Sequence, residues 1–266
     1  RKWRRLGAVA LILCGIVLRL ALRADAPLHA DECLYASWAR AIADSSDPWL
    51  RAAVIDKPPV FPYVMAFWMR TIGPGPVALR LLGIVSALAS LAFLTLTLRR
   101  TCGSWPALSG VIVATLSPVA IALDGTALTD PLAITFALAA VSASLSGGTL
   151  GAGLLMGLSV ATKPQLAVYV PLLLAVTIST RGKKPAWLHL GLGLALVFAG
   201  VAVWEGMRGA GQGFMAAALA NYGGFHFGIE EGLWLAGEWA QLLRWIWGAP
   251  WALAIWLVAL LIASVL

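Results

Sequence analysis

Four short stretches carry the groups best suited to chemistry. His29-Ala30-Asp31-Glu32 with Tyr35 comes first, then Asp56-Lys57-Pro58-Pro59, then Asp130-Pro131, then Lys163-Pro164. Carboxylates can orient or deprotonate a nucleophile, and ammonium groups can hold an anion. The setting makes these groups conspicuous, because 61% of the chain is hydrophobic and only 12% is charged. Ionisable side chains at a membrane are costly to keep unless they do something. Lys163, a lone charge within the apolar run 131–180, needs either an acid or a bound anion. The charges between 29 and 57 lie between the first and second hydrophobic runs, which points to an active site on one membrane surface.

The elements that must position these groups follow from hydropathy. A mean hydropathy of +0.87 and 13 tryptophans mark an all-α polytopic membrane protein. Apolar runs cover 6–18, 81–98, 103–123, 131–180, 185–204 and 245–266. The chain starts with Arg1 and is still apolar at Leu266, so it reads as a piece of a longer protein, a single transmembrane domain over 1–266 with its C-terminal part incomplete. With the N-terminus in the cytoplasm, helices are predicted over about 6–23, 81–98, 103–123, 131–146, 149–163, 164–180 and 185–204, and a last one from about 243. Gly147-Gly148 and Lys163-Pro164 supply the turns inside the long central run. The three central crossings are short for a bilayer, which implies broken helices or a recessed, water-filled face.

The net charge of +7 does not indicate nucleic acid. Arg1, Lys2, Arg4 and Arg5, then Arg99 and Arg100, then Arg181, Lys183 and Lys184 all fall in the segments predicted to be cytoplasmic, as the positive-inside rule requires, with anionic membrane lipids as counter-charge. All 12 acidic residues fall at the other surface or at helix ends facing it. Acids contribute little to topology, so this segregation is an independent sign of a working extracytoplasmic face. Residues 24–80 form a first outer loop holding two short helices, one with Leu34, Trp38, Ala41 and Ile42 on its apolar stripe and one over 60–72. Both are too short to span and read as interfacial. Residues 205–242 form a second outer loop, where Asn221-Tyr222-Gly223-Gly224 is a turn signal. The basic start and Ala24-Asp25-Ala26 imitate a cleaved signal peptide, but Arg19, Arg23 and Pro27 favour an uncleaved first helix. Cys14, Cys33 and Cys102 fall in a span, an outer loop and an inner loop, which predicts no intrachain disulfide and no zinc site.

The ordered set of Leu18-Arg19, Asp31-Glu32-Cys33-Leu34-Tyr35, Asp56-Lys57-Pro58-Pro59, Arg80-Leu81, Leu128-Thr129-Asp130-Pro131 and Ala161-Thr162-Lys163-Pro164 resembles the superfamily of dolichyl-phosphate-mannose protein mannosyltransferases and aminoarabinose transferases. The resemblance runs from the first helix to about residue 180. It implies a C-type glycosyltransferase (GT-C) bundle that takes a sugar from a polyprenyl-phosphate carrier. Three positions depart from the pattern: Leu34 stands where aminoarabinose transferases carry an arginine, Asp56 where they carry a glutamate, and Leu82 replaces the usual proline.

That resemblance gives each group a role. Breaking the bond between anomeric carbon and phosphate oxygen builds charge on the departing phosphate, which Lys57, stiffened by Pro58-Pro59, and Lys163 would stabilise. Lys57 can otherwise be a lysine snorkelling to headgroups, and Lys163 a structural partner of Asp130. Asp31 would serve as the carboxylate that orients or deprotonates the acceptor, or as the N-cap of the helix after it. Asp130 is a second active-site carboxylate or, with Pro131 in the first helical position, a cap. Glu32 and Tyr35 would contact substrate or support the site, although Tyr35 also suits an interfacial aromatic anchor. Asp56 and His226 are candidates to share a divalent metal ion. The predicted activity is inverting transfer of a hexose or pentose from a polyprenyl-phosphate donor to a lipid, glycan or protein acceptor at the extracytoplasmic face. A flippase would instead place polar residues at mid-membrane depth, and a non-catalytic subunit would not need the motif set. In intact cells, an impermeant thiol reagent should label Cys33 and leave Cys102 untouched until the membrane is permeabilised; labelling of Cys102 without permeabilisation would invert the topology.

Overall fold

A computed structural model describes residues 2–21, 27–181 and 184–221, together with positions 234, 237 and 238. The described chain is helical and contains no strand. In order it forms α1 (Lys2–Ala21), α2 (Ala30–Ala43), α3 (Val60–Thr71), α4 (Pro76–Thr101), α5 (Ser104–Leu116), α6 (Pro118–Asp124), α7 (Thr129–Ser146), α8 (Thr149–Val160), a 3-10 helix (Pro164–Tyr169), α9 (Val170–Arg181), α10 (Lys184–Arg208) and α11 (Phe214–Asn221). His226 and the helix expected from 243 lie outside the described residues. Among the described residues α4, α7 and α10 are long and apolar enough to cross a membrane, and α5 with α6 makes a fourth span if the bent pair is counted as one. The chain is an all-α integral membrane protein.

Two departures from the expected spans have local causes. The run 103–123 is broken between α5 and α6 by a 61° bend. Pro118 has no N–H to continue α5, and the Ser117 hydroxyl accepts from the Ala120 N–H to start α6 afresh. In the central run α8 stops at Val160 after only 12 residues. Lys163 is then extended (φ −145°, ψ 105°), the conformation that a following proline favours, and the chain resumes as a 3-10 helix.

The bundle packs through small and hydroxylated residues. A Cβ added at Gly153 would lie 2.1 Å from the Leu190 carbonyl oxygen, and one at Gly157 would lie 2.8 Å from Val197, so α8 and α10 run side by side at backbone contact. Ser90 bonds Thr135 across α4 and α7 at 2.8 Å, Ser159 donates to the Ala133 carbonyl from α8 to α7, and Ser144 bonds Thr177 between α7 and α9. These pairings set α4 parallel to α7 and α8 parallel to α10. One end of the bundle therefore gathers the end of α1, the start of α4, the end of α6, the start of α7 and the ends of α8 and α10. The opposite end holds Arg99 and Arg100 at the end of α4, Arg181 at the end of α9 and Lys184 at the start of α10.

Helices α2 and α3 pack on each other at the first of these ends. Their shared core is Tyr35, Trp38, Ala39 and Ile42 against Phe61, Met65, Ala66 and Met69, with the Tyr35 and Phe61 rings edge-to-face at 5.4 Å. The buried stripe of α2 thus runs through Tyr35, not Leu34, which is 41% exposed. Residues 34, 38, 41 and 42 also recur at helical spacing, but the buried stripe of 35, 38, 39 and 42 is turned round the helix toward Tyr35 and Ala39, which leaves Leu34 outside it. Tyr35 is a core residue and not a surface anchor.

The loop from α2 to α3 is tightly held. Both oxygens of Asp47 accept backbone N–H groups, from Arg51 and Ala52. The Tyr63 hydroxyl donates to the Pro48 carbonyl at 2.7 Å. Leu50 has φ 53° and is fully buried. A leucine in the left-handed region costs roughly 1–2 kcal/mol, so it persists only where its surroundings insist on it.

Candidate active site

A cleft of about 520 Å³ opens at the acid-bearing end of the bundle. Asp31, Tyr35, Asp56, Lys57, Asp130 and Lys163 all line it. Thr129, Thr162 and Gln165 add polar groups, and Met215, Ala218 and Leu219 of α11 form an apolar wall. Four separate segments supply the charged groups: the first turn of α2, the loop before α3, the first turn of α7 and the break after α8.

The charges are arranged as two lysine–aspartate pairs and one further carboxylate. The Lys57 Nζ lies 3.0 Å from Asp56 Oδ2, and that same oxygen accepts from Asn221 Nδ2 at 2.8 Å. Lys163 pairs with Asp130, so the acid partner sought by the lone charge of the central run is present. The early stop of α8 is what delivers Lys163 to the start of α7. Asp31 is exposed, and among the described residues its carboxylate has no hydrogen-bond or ion-pair partner. It sits in the first turn of α2, where the helix dipole favours negative side chains.

The caps fall elsewhere than expected. α2 is capped by His29, whose side chain accepts from a backbone N–H while the Glu32 carboxylate accepts from the His29 N–H at 2.8 Å. Asp31 is therefore not the cap. α7 is preceded by Leu128, which offers no side-chain cap, and Pro131 is in its third position, not its first. Neither aspartate is tied up in holding its helix end.

Glu32 turns away from the cleft into a buried junction. Its side chain is 2% exposed. Arg80 of α4 forks onto both of its oxygens at 3.2 and 3.1 Å, and the Ala127 N–H donates at 2.7 Å. Arg80 also reaches the Pro27 carbonyl. One carboxylate thus joins the start of α2, the start of α4 and the loop that leads to Asp130. Burial pushes the Glu32 carboxyl up, but the Arg80 guanidinium and the N–H groups of Ala127 and His29 outweigh it and hold the group below its ordinary value. A second junction lies behind Asp130, where Arg19 (1% exposed) meets Asp124 at 2.8 Å. These two residues, with Asp130 and Leu91, Leu94 and Ile134, border a smaller, largely apolar cavity of about 220 Å³.

Asp56 is engaged by Lys57 and Asn221, and its suggested metal partner His226 lies outside the described residues. Among the described residues no group of three His, Cys, Asp or Glu side chains is placed to hold a metal ion. Asn221, the first residue of the turn signal, ends α11 and contacts the site, while the rest of that signal lies outside the described residues. Its hydrogen bond spans 165 residues of sequence, and no local signal announces it.

The family model for dolichyl-phosphate-mannose-protein mannosyltransferase matches residues 56–204, more than half of the chain. The chain belongs to this family. It is accordingly a membrane glycosyltransferase of the GT-C type, acting on a lipid-linked sugar donor and an acceptor. No curated protein and no solved structure matches the chain. The matched region contains Lys57, Asp130 and Lys163, starts after Asp31 and ends before Arg208.

The Glu32 junction has a pH signature. A carboxylate whose folded pKa is depressed stabilises the fold fully above its unfolded value, near 4.5, and that contribution is lost as pH falls through the folded value. At neutral pH, Glu32→Gln leaves Arg80 buried without its counter-charge, at a cost of about 3–5 kcal/mol. Thermal unfolding in detergent should therefore show a gap between wild type and variant that closes as pH drops below about 4.5. A gap that does not change with pH would show that the Glu32 charge adds nothing to stability.

Proposed function

We propose that this cleft transfers a hexose or pentose, with inversion, from a polyprenyl-phosphate donor to a lipid, glycan or protein acceptor at the extracytoplasmic face. The observation that carries the reading is the convergence of Asp31, Lys57, Asp130 and Lys163 on one cleft from four distant segments. A donor of this kind has a charged phosphate and a long apolar tail. Lys57 and Lys163 face the phosphate, and the apolar cavity behind Asp130 suits the first isoprene units. The basic helix ends at the opposite end of the bundle support an outward-facing cleft.

The step balances on these groups. The acceptor oxygen attacks the anomeric carbon from the face opposite the phosphate, and its proton passes to Asp31. The bond from anomeric carbon to phosphate oxygen breaks, and its electron pair leaves with polyprenyl phosphate. Negative charge grows on that phosphate where the lysine ammonium groups sit, which lowers the barrier more than it stabilises the bound donor. Both lysines rest on aspartates before substrate arrives. An incoming phosphate competes for them, so donor binding loosens Asp130 and Asp56 for contacts with sugar or acceptor.

Asp31→Asn separates catalysis from structure, because His29 and not Asp31 caps α2. The variant should fold as wild type and bind polyprenyl phosphate normally, while transfer of labelled sugar, read as release of polyprenyl phosphate, falls roughly 100-fold or more. Wild-type turnover in the folded variant would remove Asp31 from the chemistry.

A further inference from the structure

We propose that Arg208, acting with Glu205, is a positioning residue for the transfer reaction, setting both walls of the cleft around Asp56 and Lys57. This rests on the donor-phosphate reading of the cleft given above. Arg208 ends α10, beyond the family match, and is 1% exposed. Its Nε donates to the Leu50 carbonyl at 2.9 Å and one terminal nitrogen to the Ala53 carbonyl at 2.8 Å. The other terminal nitrogen meets Glu205 Oε1 at 3.3 Å, and the guanidinium lies 5.7 Å from the Trp204 ring centroid.

Ala53 is three residues before Asp56, and Leu50 is the buried residue held with positive φ. Arg208 therefore fixes the part of the loop that carries the first lysine–aspartate pair, at the residue whose backbone would otherwise relax. Neighbouring contacts act in the same sense: Arg51 donates to the Met207 carbonyl at 3.0 Å, and the Trp204 indole donates to Tyr63, whose hydroxyl holds Pro48. Glu205 serves the opposite wall. The oxygen that meets Arg208 also accepts the Phe214 N–H at 3.2 Å, at the start of α11. That helix presents Met215 and Leu219 to the cleft and ends in Asn221, which grips Asp56. Asp56 is thus held through the loop on one side and through α11 on the other, and both lines of contact end on the Arg208–Glu205 pair. Only a planar fork reaches two loop carbonyls and a carboxylate together, so lysine is not equivalent here.

The test is a double-mutant cycle on the purified chain, reading the affinity of a long-chain polyprenyl monophosphate in detergent for wild type, Arg208→Lys, Lys57→Ala and the double variant. Arg208→Lys should weaken binding by the folded protein about tenfold, and in the Lys57→Ala background the same change should have little further effect. If Arg208→Lys yields no folded protein, Glu205→Gln replaces it in the same cycle with the same expected coupling. Unchanged affinity with only a lower unfolding temperature, or effects that simply multiply, would leave Arg208 a structural residue and overturn the inference. Absence of wild-type binding would overturn the donor reading and this inference with it.

Discussion

A single buried carboxylate holds the site together. Glu32 receives N–H donors from Arg80, His29 and Ala127, and thereby ties α2 and α4 to the loop before α7. Asp31 is its immediate neighbour in sequence, and Asp130 follows Ala127 by three residues. The relative position of two candidate reacting carboxylates therefore depends on one junction that neither of them joins. A buried ion pair of this kind contributes little net stability compared with apolar packing, but losing one partner is severe. Its value is in fixing one geometry: a carboxylate with four bonds made has no equally good alternative arrangement.

The same device recurs along one end of the bundle. Arg19–Asp124, Lys57–Asp56, Lys163–Asp130 and Arg208–Glu205 all lie there. The helices themselves pack by apolar and small-residue contact, with glycines letting α8 and α10 approach closely. That approach already fixes their register, because a slide that put a Cβ-bearing residue in place of Gly153 would meet the Leu190 carbonyl. Charged pairs at the helix ends add fixed contacts around the cleft. The short α8 belongs to this design, since a full-length span would carry Lys163 past Asp130 instead of stopping beside it.

Much of this was legible in the sequence, for definable reasons. Apolar runs of bilayer length gave α4, α7 and α10, and Gly147-Gly148 and Lys163-Pro164 marked real turns. The two short helices between the first runs were visible in helical spacing. On α2 two overlapping sets have helical spacing, 34, 38, 41 and 42 and also 35, 38, 39 and 42, and spacing alone does not tell that the second is the buried one. The break at Pro118 was masked by an unbroken apolar composition. The charged residues that line the cleft stood out because charge is rare in this chain. The acid that Lys163 meets was legible too, as Asp130, but other pairings were not: Arg19 with Asp124, Arg208 with Leu50 and Asn221 with Asp56 join residues about a hundred or more positions apart. Hydropathy and motif spacing carry no information about such pairings. Of the expected metal pair, Asp56 lies in the cleft and His226 lies outside the described residues.

On the proposed reading, the two lysine–aspartate pairs receive the donor phosphate. An experimental structure of the protein with a polyprenyl phosphate bound tests it directly. The phosphate should lie between the Lys57 and Lys163 ammonium groups, with the Asp130–Lys163 pair opened and the prenyl chain leaving past Asp130. A phosphate bound elsewhere on the protein, with both lysine–aspartate pairs intact, would contradict it.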